Sequence, residues 1–237
     1  MQRLLGHMRR CIDDYSMISA GDRIAVGVSG GKDSLMLVYL MKQLSRFYPK
    51  RFELSALTLD MGLGMDFSGV ERFCAELEVP YEIIRTDIYD IVFNVRKEQN
   101  PCSLCAKMRK GALNGALKER GCGKLALGHH FDDAVETMMM SLIFEGRLGG
   151  FTPVTYLSRM DVTQIRPMLY IRESEIIAAA AELELPVVKN TCPADGYTRR
   201  QEVKELLAGL EEKYPDLRNK IFGAMQRYPL RGWESGK

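Results

Sequence analysis

One short segment of this sequence combines glycine, lysine and serine in an order suited to binding phosphate. Residues 29–34 (SGGKDS) follow an apolar run and precede a stretch with helical periodicity. Paired glycines let the backbone approach an anion, and the amides that begin a helix favour phosphate. Lys32 adds a cation, while Ser29 and Ser34 add hydroxyl donors. The spacing from glycine to lysine is shorter than in the Walker A loop, so we predict a phosphate loop of another kind rather than an incidental glycine-rich turn.

A second polar cluster lies in residues 127–137 (LGHHFDDAVET). Gly128 ends a predicted strand, where the missing side chain would allow an adenine ring or an α-phosphate to approach. Asp132 is placed to cap the following helix, and Asp133 and Glu136 have the spacing of one helical face. Carboxylates beside bound phosphates repel them unless a divalent cation intervenes, so the cluster predicts Mg²⁺. Taken alone, it would equally fit a capped helix with a solvated acidic face.

Three of the six cysteines are placed where they could bind a metal or a cluster. Cys102 and Cys105 form a CxxC before a basic helix, and Cys192 lies in the C-terminal part. A zinc site would need a further ligand, and no second CxxC exists. A thioredoxin-like redox pair and an iron–sulfur cluster on three thiolates both fit the spacing. The remaining cysteines are predicted to be ordinary buried or half-buried thiols: Cys11, Cys74 and Cys122.

These residues fall at the ends of elements that alternate between strand and helix. Apolar runs predict strands over residues 23–29, 52–59, 81–87, 124–128 and 164–167. Helical periodicity predicts helices over residues 3–18, 33–47, 68–77, 103–120, 131–144 and 172–183. Such alternation predicts an α/β fold, a parallel twisted sheet with helices on both faces. Because ligands bind beyond the carboxyl ends of parallel strands, the glycine loop, Asp60 and residues 128–130 should meet in space.

The predicted organisation is one α/β domain with short helical additions. Residues 1–20 form an N-terminal helix, residues 21–185 the phosphate-loop domain with the CxxC helix, and residues 186–237 a helical appendage with the third cysteine. Two amphipathic helices are predicted in the appendage, over residues 198–213 and 217–228. Prolines interrupt this region, which favours helices packed on the sheet over an independent domain.

Composition narrows the class of protein without naming it. The chain has 237 residues, 46% hydrophobic and 27% charged, which is ordinary for a soluble globular protein. A net charge of +2 does not by itself imply a polyanionic partner. The N-terminus carries basic residues without the apolar core of a signal peptide, so we expect a cytoplasmic protein with no membrane association.

Together the motifs resemble a known family. Residues 29–34 resemble the PP-loop of the ATP pyrophosphatase superfamily, and residues 127–137 resemble its second motif, GHxxDDxxET. Residues 101–111 (PCSLCAKMRKG), with Cys192, resemble the tRNA 2-thiocytidine synthetase group of the thiouridine/thiocytidine synthetase family. The resemblance covers roughly residues 20–205. It implies an adenine nucleotide alpha hydrolase-like fold that binds ATP and splits it into AMP and pyrophosphate.

The resemblance also implies roles for individual residues. ATP, Mg²⁺ and a [4Fe–4S] cluster would be the cofactors, with the cluster held by Cys102, Cys105 and Cys192. The catalytic residues would be Lys32, Asp33, Asp132 and Asp133. The nucleotide would be bound by Ser29, Gly30, Gly31, Lys32, Asp33, Ser34, Leu59, Asp60, Met61, Gly128, His129 and Asp133. The second motif requires one histidine, and we assign it to His129 in preference to His130.

The reaction implied by the resemblance is ATP-dependent thiolation of tRNA. Adenylation would turn the C2 oxygen of a pyrimidine, here cytidine, into a leaving group that sulfur then replaces. The partners would be tRNA and a sulfur donor, such as a cysteine desulfurase or inorganic sulfide, and family members often form homodimers. Lys107, Arg109 and Lys110 could grip the RNA backbone, although a solvated helix face explains them equally well.

Two other functions compete with thiolation. A PP-loop enzyme of the lysidine-synthetase type would adenylate without sulfur, and its three cysteines would be structural, zinc-binding or free. A nucleotide-binding partner module without turnover is the other alternative, and the intact charged residues of both motifs argue against it. Iron content separates the thiolase from both.

Overall fold

The chain is described by a computed structural model over residues 1–96, 101–189, 191–192 and 199–228. The side chains of residues 102 and 103 fall outside that description. The sulfur of Cys102 and the start of the helix predicted over residues 198–213 therefore lie outside the described residues.

The described residues form one sheet of six strands. The strands are β1 Asp22–Val28, β2 Phe52–Asp60, β3 Tyr81–Arg85, β4 Lys124–Ala126, β5 Val154–Leu157 and β6 Val162–Ile165. Their order is β3-β2-β1-β4-β6-β5, and all neighbours are parallel except β5 and β6. The chain moves outward from β1 to β3 and then returns to β4. A topological switch point, where such folds bind ligands, therefore lies between β1 and β4.

Helices account for most of the remaining described residues. They are α1 Gln2–Asp14, α2 Lys32–Ser45, α3 Ser68–Glu76, α4 Pro101–Glu119, α5 Phe131–Glu145, α6 Glu173–Glu182, α7 Arg199–Lys213 and α8 Leu217–Arg227. A π-helical segment, Asp90–Val95, precedes α4. Within the described part of the chain, none of the helices has both the length and the apolar character needed to cross a bilayer.

The predicted α/β fold, a parallel sheet with helices on both faces, is confirmed, with one difference at the edge of the sheet. β5 and β6 form an antiparallel hairpin, whereas the sequence pattern predicted a single strand there. The hairpin turns near Asp161, which adopts a φ of 53°. Each strand has four residues, so the alternation of apolar and polar positions is too short to identify both.

The two faces of the sheet are covered unequally. On one face, Ile24, Val26 and Val28 of β1 belong to a large core that also includes buried residues of α1, α2, α3, α5 and α6. On the other face, Ala25 lies in a smaller core with Leu117 of α4. Because β1 is buried on both sides, it reads as a continuous apolar run, as central parallel strands do.

The two C-terminal helices belong to the large core as well. Val203 and Leu207 of α7 and Phe222 and Met225 of α8 are all buried in it. The ring of Phe222 stacks on Phe131 of α5, with 4.5 Å between centroids. The domain boundaries near residues 20 and 185 stay a prediction. The helices outside those boundaries, α1, α7 and α8, share one hydrophobic core with the sheet.

Arg218 of α8 forms ion pairs that hold this helix against α5 and α7. Its guanidinium Nη1 lies 3.2 Å from Asp132 Oδ1 and 3.7 Å from Glu136 Oε1, both on α5. Its Nε donates to Glu211 Oε2 at 2.9 Å. Only 8% of the Arg218 side chain is exposed, and the side chains of Asp132 and Glu136 are 10% and 4% exposed, so these two carboxylates have little water to replace a lost partner.

We predict that Arg218→Met lowers the free energy of unfolding by about 3–5 kcal/mol, because the buried carboxylates of Asp132 and Glu136 lose the buried cation that they share. Urea unfolding measures the change. Lys220→Met, on the exposed side of the same helix, is the matched control and should stay within about 0.5 kcal/mol of wild type. Equal effects of the two substitutions would contradict the anchoring role.

Candidate functional site

The phosphate loop connects β1 to α2 and is held in shape by its own serines. The Ser34 hydroxyl donates to the Gly31 carbonyl at 2.9 Å and accepts from the Ser29 amide at 3.1 Å. The Ser29 hydroxyl accepts from the Gly31 amide at 3.3 Å. Gly30 has a φ of +86°, which a side chain would disfavour. The two serines, which the sequence suggested as phosphate donors, have contacts that order the loop.

Lys32 is the first residue of α2 and stands among the helix amides that lack intrahelical partners. Its Nζ lies 3.1 Å from Asp33 Oδ2 and 3.1 Å from Glu173 Oε1 of α6. Burial lowers the pKa of Lys32, but these two carboxylates outweigh it and the pKa is raised. Lys32 is therefore a fixed cation beside the positive end of a helix dipole, which is a suitable environment for phosphate.

Gly128 brings the second motif against the phosphate loop. A Cβ at this position would lie 3.1 Å from the Asp33 carbonyl carbon and 3.1 Å from the Ser34 nitrogen. The close approach that the sequence assigned to a ligand is therefore occupied by the backbone at the start of α2. Because both neighbours are backbone atoms, neither can move aside without shifting the loop.

His130, which the sequence analysis ranked below His129, joins the two motifs. It caps α5: its Nδ1 accepts from the Asp133 amide at 3.4 Å, and Asp133 Oδ2 accepts from the His130 amide at 3.0 Å. Its Nε2 lies 3.4 Å from Asp133 Oδ2 and 3.9 Å from Asp33 Oδ1. The signal for this arrangement was present, since a polar residue followed three positions later by an acidic one is the pattern of a capping box.

His129 occupies a different environment from its neighbour. The centroid of its ring lies 4.7 Å from the centroid of the Phe151 ring. The guanidinium of Arg166 lies over the same Phe151 ring, 5.0 Å from its centroid. Burial, and then the charge of Arg166, lowers the pKa of His129 to about 4. The imidazole is therefore uncharged at neutral pH and can offer a hydrogen bond at the site without adding charge.

Asp132 and Asp133 are adjacent in sequence but have different contacts. Asp133 Oδ1 lies 3.3 Å from Arg200 Nη1 of α7, which also lies 3.3 Å from Glu136 Oε2. Asp132 pairs with Arg218, and its Oδ2 accepts from the Glu173 amide at 2.7 Å. Asp133 thus stays with the phosphate-loop residues, whereas Asp132 connects three helices.

The arginine contacts bear on the predicted Mg²⁺. Burial raises the pKa of Glu136, although Arg200 opposes the shift. The carboxylates of the second motif are neutralised by Arg200 and Arg218. Among the described residues, no group of three His, Cys, Asp or Glu side chains is arranged to hold a metal ion. Mg²⁺ therefore stays a prediction.

The cysteine segments approach the loop that follows β2. Cys105 Sγ lies 3.8 Å from Met61 Sδ, just beyond the strand end that carries Asp60. The segment with Cys192 reaches the same loop, because Thr191 donates to the Leu63 carbonyl at 3.2 Å. Cys105 and the segment with Cys192 therefore converge on the loop that follows β2.

The remaining predicted residues have separate positions. The Asp60 carboxylate accepts from the Gly62 amide at 2.9 Å and shapes the turn after β2. Lys107, Arg109 and Lys110 are exposed on α4. A groove of about 550 Å³ lies elsewhere, at the starts of β1, β2 and β3, and none of the predicted site residues lines it.

A parallel sheet with a glycine–lysine phosphate loop at its switch point, and an acidic helix start packed on that loop, defines a nucleotide-binding α/β protein. Comparison with known proteins makes the class specific. Residues 5–208 match the family described as the PP-loop domain. The chain therefore belongs to the PP-loop domain family. Within that family it belongs to the group of the tRNA-cytidine(32) 2-sulfurtransferases, because the relatives described in the next paragraph carry that name.

Two of these relatives are similar along nearly their whole length. The tRNA-cytidine(32) 2-sulfurtransferase of Pelobacter propionicus is 38% identical over 228 residues, 94% of this chain and 85% of that protein. The one from Geobacter sulfurreducens is 38% identical over 220 residues, 91% of this chain and 86% of that protein. Among solved structures, the U34-tRNA thiolase NcsA from Methanococcus maripaludis with its [4Fe–4S] cluster superimposes with a TM-score of 0.77 at 28% identity. That match covers 94% of this chain and 78% of that chain.

We predict that Gly128→Ala lowers the free energy of unfolding by about 1–3 kcal/mol, since the new methyl group meets backbone that cannot yield. Urea unfolding at neutral pH measures the effect. Gly123→Ala is the matched control, because a Cβ there meets nothing within 4 Å. A neutral Gly128→Ala would show that the loop and the second motif are not packed as tightly as described.

Proposed function

We propose that this protein is an ATP-dependent tRNA thiolase that adenylates the C2 oxygen of a cytidine and replaces that oxygen with sulfur. The observation that supports the proposal most is the convergence of Cys105 and the Cys192 segment on the loop after β2, next to the phosphate loop. The similarity to tRNA-cytidine(32) 2-sulfurtransferases supports the choice of tRNA and of cytidine. It also favours thiolation over adenylation of the lysidine-synthetase type.

In the first half of the proposed reaction, the C2 oxygen of the base attacks the α-phosphorus of ATP. The bond between that phosphorus and the bridging oxygen breaks, and pyrophosphate leaves with the bonding electrons. In the second half, sulfur at the level of sulfide bonds to C2 and the C2–O bond breaks, so AMP leaves with the oxygen. The donor would be inorganic sulfide, or a cysteine desulfurase whose persulfide sulfur a thiol first reduces to sulfide.

The chain's own residues would act mainly by stabilising negative charge and by orienting the nucleotide. Lys32 and the first amides of α2 would stabilise the negative charge that develops on pyrophosphate. Asp33 and Asp133, linked through His130, would flank the nucleotide and orient it. The contacts of Asp132 favour a positioning role, because its oxygens already bind Arg218 and the start of α6.

The cysteine positions fit an iron–sulfur cluster by the chemistry of their ligands. Cys102, Cys105 and Cys192 would supply three thiolates, and Met61 would pack beside Cys105. When bound, a [4Fe–4S] cluster with three protein ligands has one iron open to hold sulfur. The assignment of Cys102 rests on sequence spacing, since its side chain lies outside the described residues.

The exposed basic residues of α4 would contact the RNA. Lys107, Arg109 and Lys110 follow the CxxC on the same helix and point to solvent. Contacts with phosphate are favourable through the release of counterions, so clustered cations beside the reaction site suit a polyanionic substrate. A homodimer belongs to the proposal on family resemblance alone, and a cytoplasmic location belongs to it on the expectation drawn from the N-terminal residues.

The function is tested by mass spectrometry of tRNA nucleosides from a strain that lacks the gene. We expect 2-thiocytidine to be absent and to return with the wild-type gene but not with Lys32→Ala. In the purified enzyme, Lys32→Ala should slow pyrophosphate release by about 10²-fold or more, as loss of a charge-stabilising donor does. Lys50→Ala, an exposed lysine beyond the far end of α2, serves as the control. An unchanged nucleoside profile in the deletion strain would overturn the proposal.

The cluster ligands are tested by iron content after anaerobic reconstitution. We predict that Cys102→Ala, Cys105→Ala and Cys192→Ala each lose most of their iron but still bind ATP, because the phosphate loop is a separate segment. Cys122→Ala, in the smaller core, should keep wild-type iron. Normal iron in the Cys192 variant would mean that the third ligand is another residue.

The RNA contact is tested by binding of tRNA at several salt concentrations. Replacing Arg109 and Lys110 together by Gln should flatten the slope of log K against log salt by about one to two, since each phosphate contact releases counterions. Lys118→Gln, near the other end of α4, is the control. If binding and its salt slope both stay at the wild-type values, these residues form only a solvated helix face.

A further inference from the structure

Glu173 lies between two lysines that come from distant parts of the chain. Its Oε1 is 3.1 Å from Lys32 Nζ of the phosphate loop, and its Oε2 is 2.5 Å from Lys204 Nζ of α7. Only 18% of the Glu173 side chain is exposed. Burial raises its pKa, but the two lysines outweigh burial and bring the pKa to about 2. Glu173 is therefore a carboxylate at any pH at which the enzyme works.

The backbone of Glu173 is held firmly where α6 begins. Its amide donates to Asp132 Oδ2 at 2.7 Å, which ties it to α5. In the same turn, Glu175 Oε2 accepts from the Arg172 amide at 3.1 Å. The carboxylate thus projects from a fixed helix start toward Lys32, so it can set the direction of a long and otherwise flexible side chain.

A carboxylate next to a phosphate loop also presents a difficulty. It attracts the lysine that the phosphates need, and it repels the phosphates themselves. Both effects weaken nucleotide binding unless another cation neutralises the carboxylate. Lys204 is placed to do so, because it contacts the oxygen of Glu173 that does not face Lys32.

We propose that Glu173 and Lys204 are positioning residues for the nucleotide: Glu173 aims Lys32 at the phosphate loop, and Lys204 neutralises Glu173 so that the charge of Lys32 remains available to the phosphates. The inference rests on the proposed function, since it assumes that the loop binds ATP. It makes α7 part of the nucleotide site. Arg200 lies one turn earlier on the same helix and contacts Asp133, so one face of α7 supplies cations to both groups of carboxylates.

The test is a double-mutant cycle on ATP binding, measured by calorimetry without tRNA. Lys204→Met should weaken ATP binding about tenfold, the change that one interaction of about 1.4 kcal/mol produces. In the Glu173→Gln background the same substitution should change binding by less than about twofold, because the charge that it neutralises is absent. Glu173→Gln alone should leave the Kd for ATP within about threefold while slowing pyrophosphate release about tenfold or more, since Lys32 loses its orientation.

Two further variants keep the outcome interpretable. Lys204→Arg preserves the charge and should bind ATP like wild type, and Lys213→Met, an exposed lysine of the same helix, should do the same. The inference is overturned if Lys204→Met weakens binding equally in both backgrounds, which would mean that Lys204 acts independently of Glu173. It is also overturned if Lys204→Met binds ATP like wild type, a result that stands even where Glu173→Gln fails to fold. Failure of the wild-type protein to bind ATP would instead remove the proposed function, and this inference with it.

Discussion

Several carboxylates lie at the same edge of the sheet as the phosphate loop. The site depends on the neutralisation of these carboxylates by lysine and arginine side chains. Asp133 and Glu136 contact Arg200, and Glu173 contacts Lys32 and Lys204. The carboxylates of these pairs are mostly buried, with 4–21% of each side chain exposed, so removing a cation leaves a charge with little water around it. Since the cations come largely from α7 and α8, a part of the chain that looked peripheral in sequence completes the centre of the molecule.

The same constraint explains the fixed geometry of the phosphate loop. Carboxylates hold Lys32 from two sides, the serines of the loop bond to each other, and Gly128 packs against the start of α2. Groups that are already oriented do not have to reorganise when charge develops on a leaving group. Preorganisation here is a property of backbone packing and ion pairs together, and the substitutions that disturb it need not touch a ligand.

How much of this could be predicted depends on the range of the interactions. β1 and the phosphate loop were predictable, because an apolar run followed by paired glycines and a helix start is a local pattern. The hairpin of β5 and β6 was not, since strands of four residues carry too little periodicity. The second motif was found as a motif, but the contribution of His130 was missed although its capping pattern is local.

The charged residues that sequence reasoning did not find share one property, which is that their partners are far away along the chain. Lys204 lies 31 residues from Glu173, and Glu173 lies 141 residues from Lys32. In the sequence, a lysine or arginine with such a partner looks the same as one on a solvated helix face. Only the topology of the sheet, which returns the chain to the carboxyl ends of β1 and β4, shows which cations contact the carboxylates of the site.

That return also links the two chemical sites. The Val188 amide donates to the Gly30 carbonyl at 2.9 Å, so the segment leading to Cys192 runs against the phosphate loop itself. On the other side, Met61 follows the strand next to β1 and contacts Cys105. The phosphate loop is therefore in direct contact with the segment that leads to Cys192, while Cys105 lies against the residue that follows the neighbouring strand. If adenylation and sulfur transfer take place as proposed, both steps use adjoining segments at the carboxyl ends of β1 and β2.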